Sequence, residues 1–154
     1  MEGDSMSTAQ RIQLPDGSTI NLPGGGYELV ASVKTEEEVS RIALSGFEAN
    51  ELLILMRLKK AGTESAVPVL VLNGKWTSGN AYMNINDSMP NSYFQHFAAH
   101  VYAKDGNVFM NTIHNDGVSI IMNNSSYKKI TSVEIEKVGT PNYAIGSEVY
   151  IYAR

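Results

Sequence analysis

The chain has 154 residues, of which 43% are hydrophobic and 18% are charged, and its formal net charge at pH 7 is -4. This length fits one domain with a sizeable core, and the acidic balance argues against a nucleic-acid partner because it offers no basic surface for phosphates. The absence of cysteine excludes disulfides and thiolate metal sites. Because no apolar run reaches ~20 residues, we expect a soluble protein with no membrane insertion and no export signal of its own.

The first 26 residues differ in character from the rest of the chain. The stretch RIQLPDGSTINL places Asp16 and Gly17 between two short alternating segments, which predicts a small hairpin or an extended arm. The following PGGG predicts a hinge, because successive glycines after a proline allow the backbone many directions. We therefore divide the chain into an N-terminal arm, residues 1–26, and a body, residues 27–154.

The body consists of short strand-like runs separated by turn signals. Residues 35–45 carry Glu38 at the spacing of a helix capping box, but the alternation of Ile42 and Leu44 with Arg41 and Ala43 favours a strand after an acidic turn. The run ELLILMRLK is apolar on both sides, which predicts a central strand and leaves a buried helix as the alternative. The whole pattern predicts an all-β fold, an antiparallel β-sandwich of the jelly-roll type with an extended N-terminal arm.

The clearest pattern is a three-strand meander with Asp-Gly turns at residues 105–106 and 116–117. A two-residue loop at 105–106 sets Tyr102 opposite Phe109. Both faces of this meander carry apolar side chains, whereas a sandwich sheet needs only one such face. The arm, a loop or another subunit must cover the second face. For a contact with a partner subunit, the predicted residues are His96, His100, Tyr102, Phe109 and Asn111.

The last segment, GSEVYIYAR, predicts a strand that pairs with the body of the fold. Alternation places Val149 and Ile151 on one side and Tyr150 and Tyr152 on the other. The tyrosines then face either the second sheet or a subunit contact.

The sequence offers little support for catalysis or for a bound cofactor. The segment HFAAH lacks the acidic residue of the HExxH zinc motif, no GxSxG marks a nucleophile, and no phosphate-binding glycine motif occurs. We predict that the protein is not an enzyme and that it needs no metal and no cofactor.

Aromatic and amide side chains cluster in the loops between residues 76 and 93. Aromatic rings stack on the C–H faces of sugars while amides and carboxylates hydrogen-bond the hydroxyls, so such loops suit carbohydrate recognition. The alternative is that Trp76 packs in the core and that the amides serve turns. The candidate ligand-binding residues are Trp76, Tyr82, Asn84, Asn86 and Tyr93.

The body also resembles a known class of proteins. Three features are similar to small β-sandwich modules of bacteriophage and prophage virion proteins: the run YELVASVKTEEEVSRIALSGFEANELLILMRLKKAG, a later Asn-Gly after a strand, and the closing PNYAIGSEVYIYAR. Those modules open with a strand of the type YELI.S and end on a strand of the type GS.I.IYG. The resemblance covers residues 27–154, and Ala153-Arg154 departs from the glycine common at the end.

This resemblance implies a structural component of a tail fibre, baseplate or head fibre, located in the virion after synthesis in the bacterial host cytoplasm. It implies a homo-oligomer, with a trimer favoured, contacts to other virion proteins through the N-terminal arm, and exposed loops able to meet a host-surface glycan. A stand-alone carbohydrate-binding module is the alternative function.

Overall fold

The computed structural model describes residues 11–13, 15–21, 26–74, 83–84, 88–114 and 117–154. These residues form fourteen strands and no helix, which confirms the predicted all-β class. The first seven strands are β1 (Arg11–Gln13), β2 (Thr19–Asn21), β3 (Glu28–Lys34), β4 (Ile42–Ala49), β5 (Glu51–Leu58), β6 (Lys60–Ala61) and β7 (Ala66–Leu72). The remaining seven are β8 (Met83–Asn84), β9 (Gln95–Lys104), β10 (Gly106–His114), β11 (Gly117–Tyr127), β12 (Ile130–Gly139), β13 (Asn142–Tyr143) and β14 (Glu148–Ala153).

The body has two large antiparallel sheets, one of six strands in the order β11-β10-β9-β5-β14-β3 and one of four in the order β4-β12-β7-β8, and a small sheet of β6 and β13. Eight of these strands pair from the outside of the chain inward: β3 with β14, β4 with β12, β5 with β9, and β7 with β8. A long hairpin folded over on itself produces this nesting, which is the jelly-roll arrangement. The predicted jelly-roll sandwich is therefore confirmed, and β10 and β11 extend its larger sheet.

The core lies between the two large sheets, and alternation along β5 and β14 shows which of their side chains enter it. In β5, Leu52, Ile54, Met56 and Leu58 are each at most 2% exposed, whereas the residues between them are only half-buried. In the facing sheet, Ile135 is fully buried. Each such side chain contributes about 1.5–3 kcal/mol by leaving water, so the alternation fixes which side of each strand faces inward.

The hairpin between β9 and β10 has the register predicted from the Asp-Gly turn. Asp105 and Gly106 have φ angles of 52° and 80°, the left-handed values that a two-residue hairpin turn requires. Tyr102 consequently lies opposite Phe109, as predicted, and His100 opposite Asn111.

The second turn of the meander is not where the sequence placed it. Gly117 pairs with His114 and already belongs to β11, so it is a strand residue and not a turn residue, and residues 115 and 116 lie outside the described residues. The sequence prediction put this turn one residue too late. Asn and Asp are both common in turns, so the run Asn-Asp-Gly did not by itself define the register.

The terminal strand β14 is an interior strand of the six-stranded sheet, between β5 and β3. Val149 and Ile151 are fully buried against the second sheet, and Tyr150 and Tyr152 point to the opposite side. The question left open by the sequence is thus decided: the two tyrosines do not face the second sheet.

The arm contains the predicted hairpin, with β1 paired to β2 through Ile12 and Ile20. The Asp16 carboxylate accepts a hydrogen bond from the Ser18 backbone amide at 2.8 Å, which closes the turn. The predicted glycine hinge falls largely outside the described residues, so the division at residue 26 stays a prediction.

Candidate functional site

The side of the six-stranded sheet that faces away from the four-stranded sheet is called the outer face here. It carries the five residues predicted to contact a partner subunit: His96, His100, Tyr102, Phe109 and Asn111. The rings of Tyr102 and Phe109 stack with centroids 4.8 Å apart, and Tyr102 is 37% exposed. The structure thus places these residues together on one face, and their role as a subunit contact stays a prediction.

A cleft of about 650 Å³ lies between the β1–β2 hairpin and the outer face, and we call it the tyrosine cleft. This volume is within the range of small-molecule sites. Its lining residues are Gln13, Pro15, Gly17, Leu55, Met56, Arg57, His96, Glu148, Tyr150 and Tyr152.

Strand register explains why these side chains meet. Tyr150 pairs with Leu55 and Glu148 pairs with Arg57 across β14 and β5. Arg57 in turn pairs with His96 on β9. Because residues that pair directly across strands project to the same face, the tyrosines, the arginine and the histidine form one continuous floor beneath the hairpin.

Tyr150 and Tyr152 supply the aromatic part of that floor. They are two positions apart on β14, so both project outward, and Tyr150 keeps 38% of its surface exposed. Burial, followed by the neighbouring Tyr150, raises the pKa of Tyr152. Tyr152 is therefore a neutral phenol near neutral pH and can both donate and accept a hydrogen bond.

Arg57 and Glu148 supply the charged part. Arg57 is held from two sides: its Nη1 donates to the Gly146 carbonyl at 3.1 Å, and its guanidinium carbon lies 3.8 Å from the centroid of the Phe94 ring. Glu148 lies 3.4 Å from the Lys34 ammonium. A guanidinium fixed by one hydrogen bond and one ring still has donors for a ligand.

At the other end of β5, the Glu51 carboxylate joins three parts of the chain. Its Oε1 accepts from the Tyr27 hydroxyl and from His100 Nε2, each at 2.6 Å, and its Oε2 accepts from Arg154 Nε at 2.6 Å. Burial opposes the charge, but the hydrogen bonds from Arg154, Tyr27 and His100 outweigh it and lower the pKa of Glu51 to about 2. Burial, and next the bond to Glu51, raise the pKa of Tyr27 to about 12.

This cluster does not have the composition of a hydrolytic triad. His100 uses Nε2 on Glu51, and none of the hydrogen bonds of the described residues joins it to a serine or threonine hydroxyl. Nor do the described residues contain a group of three or more histidine, aspartate or glutamate side chains suited to a metal ion. No helix of the described residues has the length and apolar character needed to cross a membrane.

The ligand-binding residues predicted from the sequence fall only partly within the described residues. Trp76, Tyr82 and Asn86 lie outside the described residues, and Asn84 pairs with Val69 through the backbone of β8. Tyr93 is 55% exposed in the segment before β9 and does not line the cleft. Sequence reasoning missed Tyr150 and Tyr152 as site residues, although their alternation with buried neighbours was the signal.

No protein-family model matches the chain, and no curated protein matches it. Among solved structures, a protein titled "Sialidase" is similar over 86% of this chain and 15% of its own, with 10% sequence identity and a TM-score of 0.46. A functionally unknown protein from Saccharomyces cerevisiae is similar over 96% of this chain and 94% of its own, with 8% identity and a TM-score of 0.31. This chain therefore corresponds to less than a sixth of the length of that sialidase, and TM-scores this low carry no functional conclusion for it.

Proposed function

We propose that this protein is a non-enzymatic carbohydrate-binding module and that the tyrosine cleft is its ligand site. The observation that carries the proposal is the pair of outward tyrosines, Tyr150 and Tyr152, on the floor of a cleft of about 650 Å³. A concave, largely aromatic and aliphatic surface with a few fixed polar groups is the usual form of a small-ligand site.

The aromatic floor suits the apolar side of a sugar. Tyr150 and Tyr152 present ring surface next to Leu55, so a pyranose ring lying on β14 would place its C–H groups on carbon. Aromatic contacts of this kind add to the free energy gained from burial alone. The phenol hydroxyls lie at the ends of the same rings and can bond ring substituents.

The polar residues of the cleft suit sugar hydroxyls. Arg57 donates hydrogen bonds, Glu148 accepts them, and His96 can do either, depending on its tautomer. Arg57 is already oriented by Gly146 and Phe94, so less side-chain entropy is lost when a ligand binds.

The arrangement favours binding over hydrolysis. Glycoside hydrolysis generally uses two carboxyl groups on opposite sides of the scissile bond. Among the described residues that line the cleft, Glu148 is the one carboxylate, and it lies 3.4 Å from Lys34.

A glycan array probed with the fluorescently labelled full chain tests the proposal. We expect binding that Tyr150→Ala and Tyr152→Ala each weaken about tenfold or more, because stacking of a ring on an aromatic side chain is lost. Tyr93→Ala is the matched control, since Tyr93 is exposed but outside the cleft. Binding that survives both cleft variants but is lost in Trp76→Ala would move the site to the loops predicted from the sequence. Absence of glycan binding would contradict the proposal.

A virion appendage protein is the second candidate, favoured by the apolar end of the outer face away from the cleft. There the Tyr102–Phe109 stack is partly exposed, since Tyr102 keeps 37% of its surface exposed. The jelly roll serves both lectin and viral capsid domains, so the fold is compatible with either function. In this second proposal, these side chains meet another subunit in a homo-oligomer and the arm attaches to other virion proteins.

A further inference from the structure

Arg57 is the one arginine or lysine among the described residues that line the tyrosine cleft. Its Nη1 donates to the Gly146 carbonyl, and its guanidinium group lies over the Phe94 ring. Both of these partners are uncharged. None of the ion pairs formed by the described residues includes Arg57. Within this part of the chain, the positive charge of Arg57 is therefore not matched by a carboxylate.

The carboxylate that the strand register brings nearest to Arg57 is used elsewhere. Glu148 lies directly opposite Arg57 across β14 and β5, and opposite charges in this arrangement commonly pair. Instead, Glu148 Oε1 lies 3.4 Å from Lys34 Nζ, on the other neighbouring strand, β3. Lys34 thus offsets the charge of Glu148, and these three side chains together leave one positive charge, that of Arg57.

The packing around Gly146 keeps Arg57 in this position. Gly146 has a φ of +85°, and a Cβ at this residue would lie only 3.3 Å from Phe94 Cζ. Glycine therefore lets the Phe94 ring lie against the backbone whose carbonyl accepts the hydrogen bond from Arg57. The ring and the carbonyl hold the guanidinium group in place without neutralising it.

The donors that Arg57 has left indicate which chemical group would complete the site. The hydrogen bond to Gly146 uses Nη1, and none of the hydrogen bonds of the described residues uses Nε or Nη2. These two nitrogens form a fork that matches the two oxygens of a carboxylate. A sugar hydroxyl can accept one such bond, but it leaves the charge unmatched.

We propose that the tyrosine cleft selects acidic glycans, with a sugar carboxylate on Arg57 and a sugar ring on Tyr150 and Tyr152. This inference rests on the proposed function and names its ligand class. Arg57 and Tyr150 are one strand apart in the sheet and two positions apart along it, so their backbones are about 8 Å apart. A glycan of one or two sugar units spans this distance.

Amide chemical shifts of the 15N-labelled full chain test the inference. The probe is di-D-galacturonate, and its methyl ester is the neutral match because it keeps the same rings and hydroxyls. We expect both to shift amides of residues 146–152, and we expect the acid to bind about tenfold or more tightly than the ester. The difference should shrink as sodium chloride is added.

Arg57→Met is the decisive variant, since methionine keeps an unbranched stem and removes the charge. We expect it to bind the acid and the ester with equal affinity. Lys59→Met is the matched control, because Lys59 Nζ lies 4.9 Å from the same Phe94 ring but Lys59 does not line the cleft, so the preference for the acid should remain. If Arg57→Met does not fold, the comparison of acid with ester on the natural chain still decides.

The inference and the proposed function can fail separately. Equal affinity of the natural chain for acid and ester, with both weakened by Tyr150→Ala, would overturn the inference and keep the proposed function. Acetate that binds as tightly as digalacturonate would also overturn the inference, since the sugar would then contribute nothing. Absence of shifts with both glycans would contradict the inference and the proposed function together.

Discussion

Glu51, the first residue of β5, and Arg154, the last residue of the chain, form a two-contact ion pair. Oε2 accepts from Arg154 Nε at 2.6 Å and Oε1 from Nη2 at 3.1 Å, while the Arg154 backbone amide donates to the Glu51 carbonyl at 3.1 Å. Tyr27 and His100 donate to the same carboxylate. One side chain therefore joins the first residue of the body, the last residue of the chain and the middle of β9.

Replacing Glu51 should lower the free energy of unfolding. Glu51→Gln removes the negative charge that accepts hydrogen bonds from Arg154, Tyr27 and His100. Hydrogen bonds to charged groups contribute about 1.5–3 kcal/mol each to the free energy of unfolding when they are shielded from water. Since Glu51 is only partly shielded, we expect a loss of about 1–3 kcal/mol, measured by urea denaturation. Glu48→Gln, at an exposed position on β4, is the control and should change little. A loss below about 0.5 kcal/mol for Glu51→Gln would contradict a stabilising role.

The same carboxylate should make stability depend on pH in the acid range. The pKa of Glu51 is about 2 in the folded chain, against an ordinary value of 4.5 for a glutamate carboxyl group. Between these values the unfolded chain binds more protons than the folded chain, so the free energy of unfolding falls as the pH falls. We expect the stabilisation to be complete above about pH 5 and to disappear toward pH 2.

Unfolding curves of the natural chain and of Glu51→Gln at several pH values check this. The difference between the two should be largest near neutral pH and should shrink as the pH approaches 2. If the difference in the free energy of unfolding stayed constant from pH 6 to pH 2.5, the effect of Glu51→Gln would come from packing and not from the lost charge.

A glycine at the end of β12 should be intolerant of any side chain. Gly139 has a φ of +126°, and a Cβ there would lie 2.2 Å from the Ser65 carbonyl oxygen. Gly46 has a φ of +92° but no atom within 4 Å of such a Cβ, so Gly46→Ala isolates the conformational cost. We expect Gly139→Ala to destabilise the protein by about 2 kcal/mol or more beyond Gly46→Ala, because backbone must move to relieve the contact. Equal melting temperatures for the two variants would disprove the steric argument.

The sequence predicted the features that depend on neighbouring residues. The turn at Asp105-Gly106 sets the register of β9 and β10, and alternation in β14 places Ile151 and Tyr152 on opposite sides of the strand. The number and spacing of the strands predicted a jelly-roll sandwich as a fold class. They did not predict which strands pair, because no local pattern shows that β3 pairs with β14.

The candidate site was harder to foresee because its residues are distant in sequence. Arg57 and Glu148 meet only through the pairing of β5 with β14, and the bond of Glu51 to Arg154 spans 103 residues. The sequence predicted a site at the loop aromatic residues around Trp76 because these residues lie close together along the chain. The tyrosine cleft has no such local signature, since the arm and three strands each contribute a part.

Removing the arm should separate binding from folding. The hydrogen bonds of the β1–β2 hairpin lie within the arm, and among the described residues no member of the buried core precedes residue 27. A chain starting at Tyr27 should therefore melt close to the intact protein. It should bind glycans much more weakly, because Gln13, Pro15 and Gly17 form the wall opposite the tyrosines.

The intact chain and the chain starting at Tyr27 are compared by melting curves, glycan titrations and light scattering. Gln13→Ala is a milder change to the same wall of the cleft. Unchanged glycan affinity after truncation would remove the hairpin from the site. An oligomer that persists without the arm would assign the subunit contact to the outer face near Tyr102 and Phe109, as the virion proposal requires. A monomer before and after truncation would leave that face without a partner and favour the stand-alone binding module, since the tyrosine cleft is formed within one chain.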